Sequence, residues 1–275
     1  MRLVSPFVDA LRQIDEWPCD HAAAIVTGRV DATHGDAGRF HWASVTKLAT
    51  AVAMLVAAEE GIVDLDEPAG PSGATFRHLL AHASGLPFEA GEPIAPPGRR
   101  RIYSNYGFEV AAELVAGRAE MPFADYFHHV WAGTGQRLEG SAGSGVSGTI
   151  EDLGALAREL QAPQRVAGET LAEAVTVQFP GLDGVLPGFG RQSPNDWGLG
   201  FELRDAKAPH WTGARNSTRT FGHFGRSGTF LWVDPEAGIA LGVLTDRAFG
   251  DWAKDAWPRL SDAVLREVSD TSESV

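Results

Sequence analysis

The chain has 275 residues, 44% of them hydrophobic and 21% charged, with a net charge of −13. That is enough apolar material for one sizeable core and far from the composition of a disordered chain. The acidic balance repels phosphate backbones, and Arg99 to Arg101 form only a short solvated cluster, so nucleic acid is not expected as a partner. No apolar run approaches the roughly 20 residues of a membrane helix, so a membrane is not expected either.

From the N-terminus, Val4, Phe7, Val8, Leu11 and Ile14 recur at three-to-four spacing, interrupted by Asp9, Arg12 and Asp15. Met1 to Trp17 therefore reads as an amphipathic helix of the fold and not as a signal peptide, and a cytoplasmic location is the expectation. The single Cys19 excludes an internal disulfide and fits a reducing compartment. Ala22 to Val30 reads as a buried strand and Arg39 to Trp42 as a short one. Ser44 to Glu60 is rich in alanine and leucine, opens on a serine able to cap and stops at Gly61, which predicts a helix. It is apolar nearly all round, so it belongs in the middle of the protein.

Further helices are expected at Thr75 to His82, Ser104 to Ala119, Phe123 to Trp131 and Thr149 to Gln161, the last capped by Thr149. The loop SAGSGVSG between them is short and reads as a wall, not a linker. Past residue 198 the period changes to two, predicting strands at Gly198 to Leu203, Thr220 to Arg226, Thr229 to Asp234 and Gly238 to Thr245. A helix over Trp252 to Val268 closes the chain, with Pro258 kinking or starting it. The expected architecture is α+β: an antiparallel sheet built from residues 1–60 and 196–275, flanked by the terminal helices, with an all-helical lobe over 61–195 inserted between them.

Lysine occurs only at positions 47, 207 and 254, against twenty arginines. Ser44 and Lys47 are three apart on a predicted helix, hence on one face. The helix N-terminus favours a developing oxyanion at Ser44. Burial lowers the pKa of Lys47, and a neutral amine can take a hydroxyl proton, which an arginine cannot. A Ser-x-x-Lys arises by chance in roughly one such chain in five, so its place at the start of a buried helix is what gives it weight.

Tyr103 and Asn105 follow at a loop-to-helix transition, one able to relay a proton and the other to bind a carbonyl. In TFGHFGRSGT, His223 and Gly225 sit on a predicted strand, where Gly225 lets a substrate backbone approach. The N–H of Arg226 is a second candidate oxyanion donor beside that of Ser44. Trp42, Phe88, Tyr106, Trp197 and Trp211 are candidates to line an acyl pocket, with Trp42 and Tyr106 favoured because each adjoins a motif.

The set Ser44-x-x-Lys47, Tyr103-x-Asn105 and His223-x-Gly225 resembles the serine β-lactamase and penicillin-binding-protein superfamily, and within it the class C β-lactamase-related serine hydrolases, which include esterases and D-amino-acid peptidases. TFRHLLAHASGLP, PGRRRIYSNYGFEVAAELV, SGVSGTIEDLGALAREL, WGLGFEL and the block from Gly222 to Asp246 are similar to that family's blocks, so the resemblance spans nearly the whole chain. It implies a sheet of about five strands with a helical lobe. It also implies Ser44 as acylated nucleophile, Lys47 as its base, Tyr103 as general acid and base, and Asn105 as a ligand of the substrate carbonyl.

His223 stands where many relatives carry a lysine, and a histidine is mostly neutral at pH 7. Arg226 or Arg219 would then have to supply any charge for a substrate carboxylate. The expectation is an esterase-like serine hydrolase of a small ester or amide, with a D-amino-acid peptidase or weak β-lactamase as the alternative and a non-catalytic binding module as an alternative of another class. No metal or cofactor is expected: His78 and His82 are four apart but lack a following acid, His128 and His129 read as a helix surface pair, and no phosphate loop is present. Oligomeric state is not legible.

Overall fold

The computed structural model describes residues 8–272. In chain order it contains α1 (Val8–Leu11), a 3-10 turn (Arg12–Glu16), β1 (Ala22–Gly28), β2 (Ala32–Gly35), β3 (Phe40–His41), a second 3-10 turn (Ala43–Val45), α2 (Thr46–Glu59), α3 (Phe76–Leu80), α4 (Asn105–Ala119) and α5 (Phe123–Val130). There follow β4 (Arg137–Leu138), β5 (Val146–Gly148), α6 (Ile150–Gln161), α7 (Gly168–Ala174), β6 (Gly184–Leu186), β7 (Gly190–Gln192), β8 (Glu202–Leu203), β9 (Phe221–Gly225), β10 (Thr229–Asp234), β11 (Ile239–Thr245) and α8 (Asp251–Ser272). The expected N-terminal helix is thus a single turn of α-helix passing into a 3-10 turn, and its residues 1–7 lie outside the described ones.

The main sheet is antiparallel and has six strands in the order β2-β1-β11-β10-β9-β8, one more than the resemblance implies. Its centre is the β1–β11 pair, in register from Ala22↔Thr245 to Gly28↔Ile239. Alternate residues serve two cores. Ala23, Ile25, Leu231 and Val233 face one, with α2 and α6; Ala24, Val26, Phe230 and Trp232 face the other, with α1 and α8. Both faces are covered, which is why these strands read as continuous apolar runs. Small sheets β3-β5-β4 and β6-β7 complete the fold.

Helix α2 runs through the larger core, with eleven of its fourteen residues buried. Alanines 49, 51, 53 and 57 let α4 and α5 pack close beside it. Glycine does the same for α6: a Cβ at Gly154 would lie 2.5 Å from Ile25 Cδ1, so the missing side chain sets how closely α6 approaches the sheet. Contacts of α6 with β1, β10 and β11 tie the middle of the chain to the strands from its two ends. No helix among the described residues is long and apolar enough to cross a membrane.

Three boundaries differ instructively from the expected ones. Ser44 is not a cap: it sits inside the 3-10 turn before α2, where no side chain caps the helix. Pro258 does not start the last helix, which begins at Asp251; it lies inside α8, where its missing N–H leaves the Lys254 carbonyl without its helical partner. The strand expected at Gly198 to Leu203 shrinks to Glu202–Leu203, because Gly200 takes φ +86° and its N–H bonds Leu80 O instead of a ladder.

The β10–β11 hairpin is pinned by Asp234, 1% exposed. Its carboxylate accepts from Ser217 N (2.7 Å), Ser217 Oγ (2.8 Å), Thr220 Oγ1 (3.0 Å), Glu236 N (3.1 Å) and Ala237 N (3.2 Å). Asp234→Ala strands these donors and is expected to cost about 3 kcal/mol in urea unfolding, at unchanged m-value.

Candidate active site

The start of α2, the N-terminus of α4, the loop before β5 and the β9–β10 turn converge. Ala43, at φ +47°, opens the second 3-10 turn so that Ser44, its middle residue, faces a cavity and Lys47 enters the protein one turn later. The strained backbone sits immediately before the serine.

Lys47 is fully buried. Its Nζ lies 3.5 Å from Ser44 Oγ, 2.5 Å from Asn105 Oδ1 and 2.8 Å from Gly143 O. Burial lowers its pKa from 10.5 to about 7, with Glu109 pulling weakly the other way. A neutral amine has two hydrogens and one lone pair. The two carbonyl oxygens take the hydrogens, which leaves the lone pair toward the Ser44 hydroxyl. At pH 7 a substantial fraction of Lys47 can therefore accept a proton.

Local sequence explains the placement of Asn105. Ser104, not Asn105, caps α4, accepting from Gly107 N at 2.8 Å. The Asn105 amide is thereby free to meet Lys47. Gly143 comes from the glycine-rich loop that reads as a wall, and its contribution is a backbone carbonyl. Ser141 and Gly143 of that loop are in turn bonded to Glu109, Ser141 by a short hydrogen bond.

Tyr103 lines the cavity together with Ser44, and the Lys47 amine lies 4.7 Å from its ring centroid. Desolvation raises its pKa above the ordinary tyrosine range, so the phenol stays protonated and can donate a hydrogen bond. Its oxygen is 3.4 Å from His223 Nε2. The other nitrogen of His223, Nδ1, lies 2.7 Å from Phe224 O and must donate to that carbonyl, which leaves Nε2 as an acceptor for the phenol. Burial, reinforced by Lys47, lowers the pKa of His223 to about 3, so it is a neutral ring on β9.

The β9–β10 turn is stitched to the segment before Ser44 by Ser227 Oγ to His41 O (2.7 Å) and Thr229 Oγ1 to Trp42 O (2.8 Å). A Cβ on Gly225 would lie 2.5 Å from Trp42 O. The close approach for which Gly225 is needed is therefore that of the protein's own chain, not of a substrate. Arg226, the first residue of this turn, lines the cavity and is exposed.

The cavity measures about 590 Å³ and includes Ser44, Tyr103, His223, Phe88, Trp197 and Arg226 in its lining. Two favoured pocket residues are not part of it. Trp42 is wholly buried in the core and packs on Gly148, and Tyr106 packs half-buried against the larger core; adjacency to a motif in sequence did not give them its direction. Phe88 and Trp197 take that place, while Trp211 donates to Glu202 Oε2 at 3.0 Å and Arg219 lies elsewhere on the surface. His78 and His82 also part ways. His78 Nδ1 accepts from Thr75 N in the cap of α3, and His82 Nδ1 accepts from Ser104 N.

The beta-lactamase family model matches residues 9–135 and 128–265, nearly the whole described chain. The chain belongs to the beta-lactamase family. Members of this family are serine hydrolases of the β-lactamase and penicillin-binding-protein superfamily. A beta-lactamase from Mycobacterium bovis is 54% identical, superposes with a TM-score of 0.92, and is matched over 94% of this chain and 99% of its own. Two further solved structures share the fold. The hydrolase EstCE1, with promiscuous acyltransferase activity, is 18% identical with a TM-score of 0.75, over 94% of this chain and 97% of that one. A mutant of the simvastatin synthase LovD from Aspergillus terreus is 15% identical with a TM-score of 0.75, over 96% and 95%. No curated protein matches this family member.

Proposed function

We propose that this beta-lactamase family member hydrolyses an ester through an acyl-enzyme on Ser44. The observation that carries the reading is the buried Lys47 amine, with two acceptors for its hydrogens and a serine hydroxyl facing what remains. In acylation the Ser44 proton passes to Lys47 Nζ as Oγ attacks the ester carbon. The backbone N–H groups of Ser44 and Arg226 receive the developing oxyanion. Tyr103 gives its phenolic proton to the departing alkoxide and regains one from Lys47. In deacylation a water enters in place of the alcohol, loses a proton along the same relay and releases the acid, so ester and water become acid and alcohol.

The neutral His223 supports an ester over a carboxylate-bearing peptide or penicillin, because no fixed cation stands at that position. The second reading, a weak β-lactamase, is favoured by the name of the 54% identical neighbour and by the cavity-lining Arg226. We place the protein's work in the cytoplasm on its composition, with Cys19 half-buried and free.

A fluorophosphonate probe followed by peptide mass spectrometry is expected to find the adduct on Ser44, and none on Ser44→Ala. In the same preparation kcat/KM for p-nitrophenyl butyrate is expected to rise with pH through about 7 as Lys47 loses its proton, and to exceed that for nitrocefin. An adduct elsewhere, or a rate independent of pH across that range, counts against the mechanism.

A further inference from the structure

The charged and polar groups set deep in the cavity are already engaged. Arg101 donates to the carbonyls of Ala81, Gln178, Asn195 and Phe179. Glu202 accepts from Lys207, His210 and Trp211. Beyond Ser44, Tyr103, His223 and the exposed Arg100 and Arg226, what remains open to a ligand is apolar: Ile102, Leu186, Trp197, Phe224 and Phe249. The mouth carries exposed apolar groups beside those two arginines. Phe88, Ile94 and Val185 line it at 46%, 57% and 59% exposure, and they are three of the five large hydrophobics that stand exposed among the described residues. Such a concentration on one opening marks a ligand with extended apolar surface.

We propose that the cavity takes the acyl chain of an ester of a medium- to long-chain, uncharged apolar acid, with the carbonyl at Ser44. This rests on the reading of Ser44 as nucleophile. The β6–β7 hairpin, which brings Val185 and Leu186, is one wall; the segment bearing Phe88 and Ile94 is another.

The test is a series of p-nitrophenyl esters from acetate to octanoate, with octyl acetate carrying the same chain on the alcohol side. Each buried methylene is worth roughly a fourfold gain, so kcat/KM is expected to rise at least about tenfold from acetate to octanoate. Val185→Asp and Ile94→Asp, at exposed positions that tolerate a charge, are expected to lower the octanoate-to-acetate ratio about fivefold or more. A flat or falling series, an unchanged ratio in both variants, or octyl acetate preferred over octanoate overturns the proposal while leaving the serine hydrolase intact. Binding of 2-decanone to Ser44→Ala, followed by calorimetry, separates the two claims. Binding without any turnover by the wild-type protein removes the nucleophile and keeps the pocket; no binding removes the pocket.

His82 supports a second, independent inference. It is wholly buried, in the left-handed region at φ +55°. Its carbonyl accepts from Ile102 N at 2.9 Å and its Nδ1 from Ser104 N at 3.1 Å, so one residue grips the chain on both sides of Tyr103. Its ring centroid is 4.7 Å from that of Tyr103 and 4.7 Å from that of Trp197. With Nδ1 accepting, Nε2 carries the hydrogen, and it has no hydrogen-bond partner among the described residues.

We infer that His82 is a positioning residue which fixes the aim of the Tyr103 phenol between Ser44 and His223. His82→Asn keeps an acceptor for Ser104 N–H and is expected to hold kcat within about threefold; His82→Leu keeps bulk, loses the acceptor and is expected to lose about tenfold or more in kcat at nearly constant KM. A residue that merely packs would rank the variants by melting temperature instead. A tenfold loss of kcat in His82→Asn melting like the wild type overturns the inference, and this outcome is readable even if the leucine variant does not fold.

Discussion

Lys47→Met is expected to abolish most turnover and to make the protein more stable. The first half follows from the proposed relay, since loss of a general base typically removes 10²–10⁴ in rate, and methionine neither takes a proton nor returns one. The second half is a contest between two effects. Lowering a lysine from 10.5 to about 7 on folding opposes the folded state at pH 7 by on the order of 4–5 kcal/mol. Against this, methionine leaves Asn105 Oδ1 and Gly143 O without a donor, at a net cost of about 1 kcal/mol each. Desolvation wins, for a gain of about 2 kcal/mol and a rise in Tm of roughly 5 °C.

The pH dependence gives this explanation its own signature. The unfolded lysine holds its proton up to about 10.5 and the folded one only to about 7, so between these values the unfolded state binds more protons. Wild-type stability therefore climbs as pH rises across that window, and Lys47→Met is expected to lack this slope. Urea unfolding of both proteins at pH 7 and pH 9 reads it directly. A variant that is less stable at pH 7, or that keeps the slope, assigns the strain to another group. Lys47→Arg is expected to be inactive as well, because a guanidinium stays charged.

Those residues were legible because a helix imposes a spacing on side chains whose chemistry is rare. Only three lysines occur in the chain, and one stands three residues after a serine at the head of an apolar helix. The sheet was legible in the same way: β10 runs from Thr229 to Asp234, where alternation and the turn residues place it. The β6–β7 hairpin was not, since Gly184 to Gln192 is too rich in glycine and proline to show a period.

The other gaps share a cause. The Gly143 carbonyl that orients Lys47 is a backbone group and leaves no mark in composition. His82 falls just beyond α3 in the left-handed region, so helical spacing to His78 misdescribes where its ring points. Trp42 and Tyr106 stand next to motifs along the chain, whereas lining a cavity depends on direction, which Phe88 has and they do not.

The largest expected stability loss lies behind the cavity wall. Lys207 is 6% exposed and donates to Glu202 Oε1, Asp196 O (2.7 Å) and Leu203 O (2.5 Å). Glu202 Oε2 accepts from His210 Nε2 (2.9 Å) and Trp211 Nε1 (3.0 Å). Burial alone would raise the Glu202 pKa, but His210 and Lys207 outweigh it and hold the carboxyl at about 2. Its stabilisation is thus present above 4.5 and lost as pH falls toward 2. Lys207→Met leaves a buried carboxylate short of its cation and is expected to cost about 3–5 kcal/mol. Adding Glu202→Gln removes the stranded charge, so the double variant is expected to be more stable than Lys207→Met alone. Additive losses would instead mean that the two side chains act by packing. Because Glu202 also lines the cavity, the same cycle read with octanoate and acetate esters couples this buried pair to the shape of the proposed acyl site.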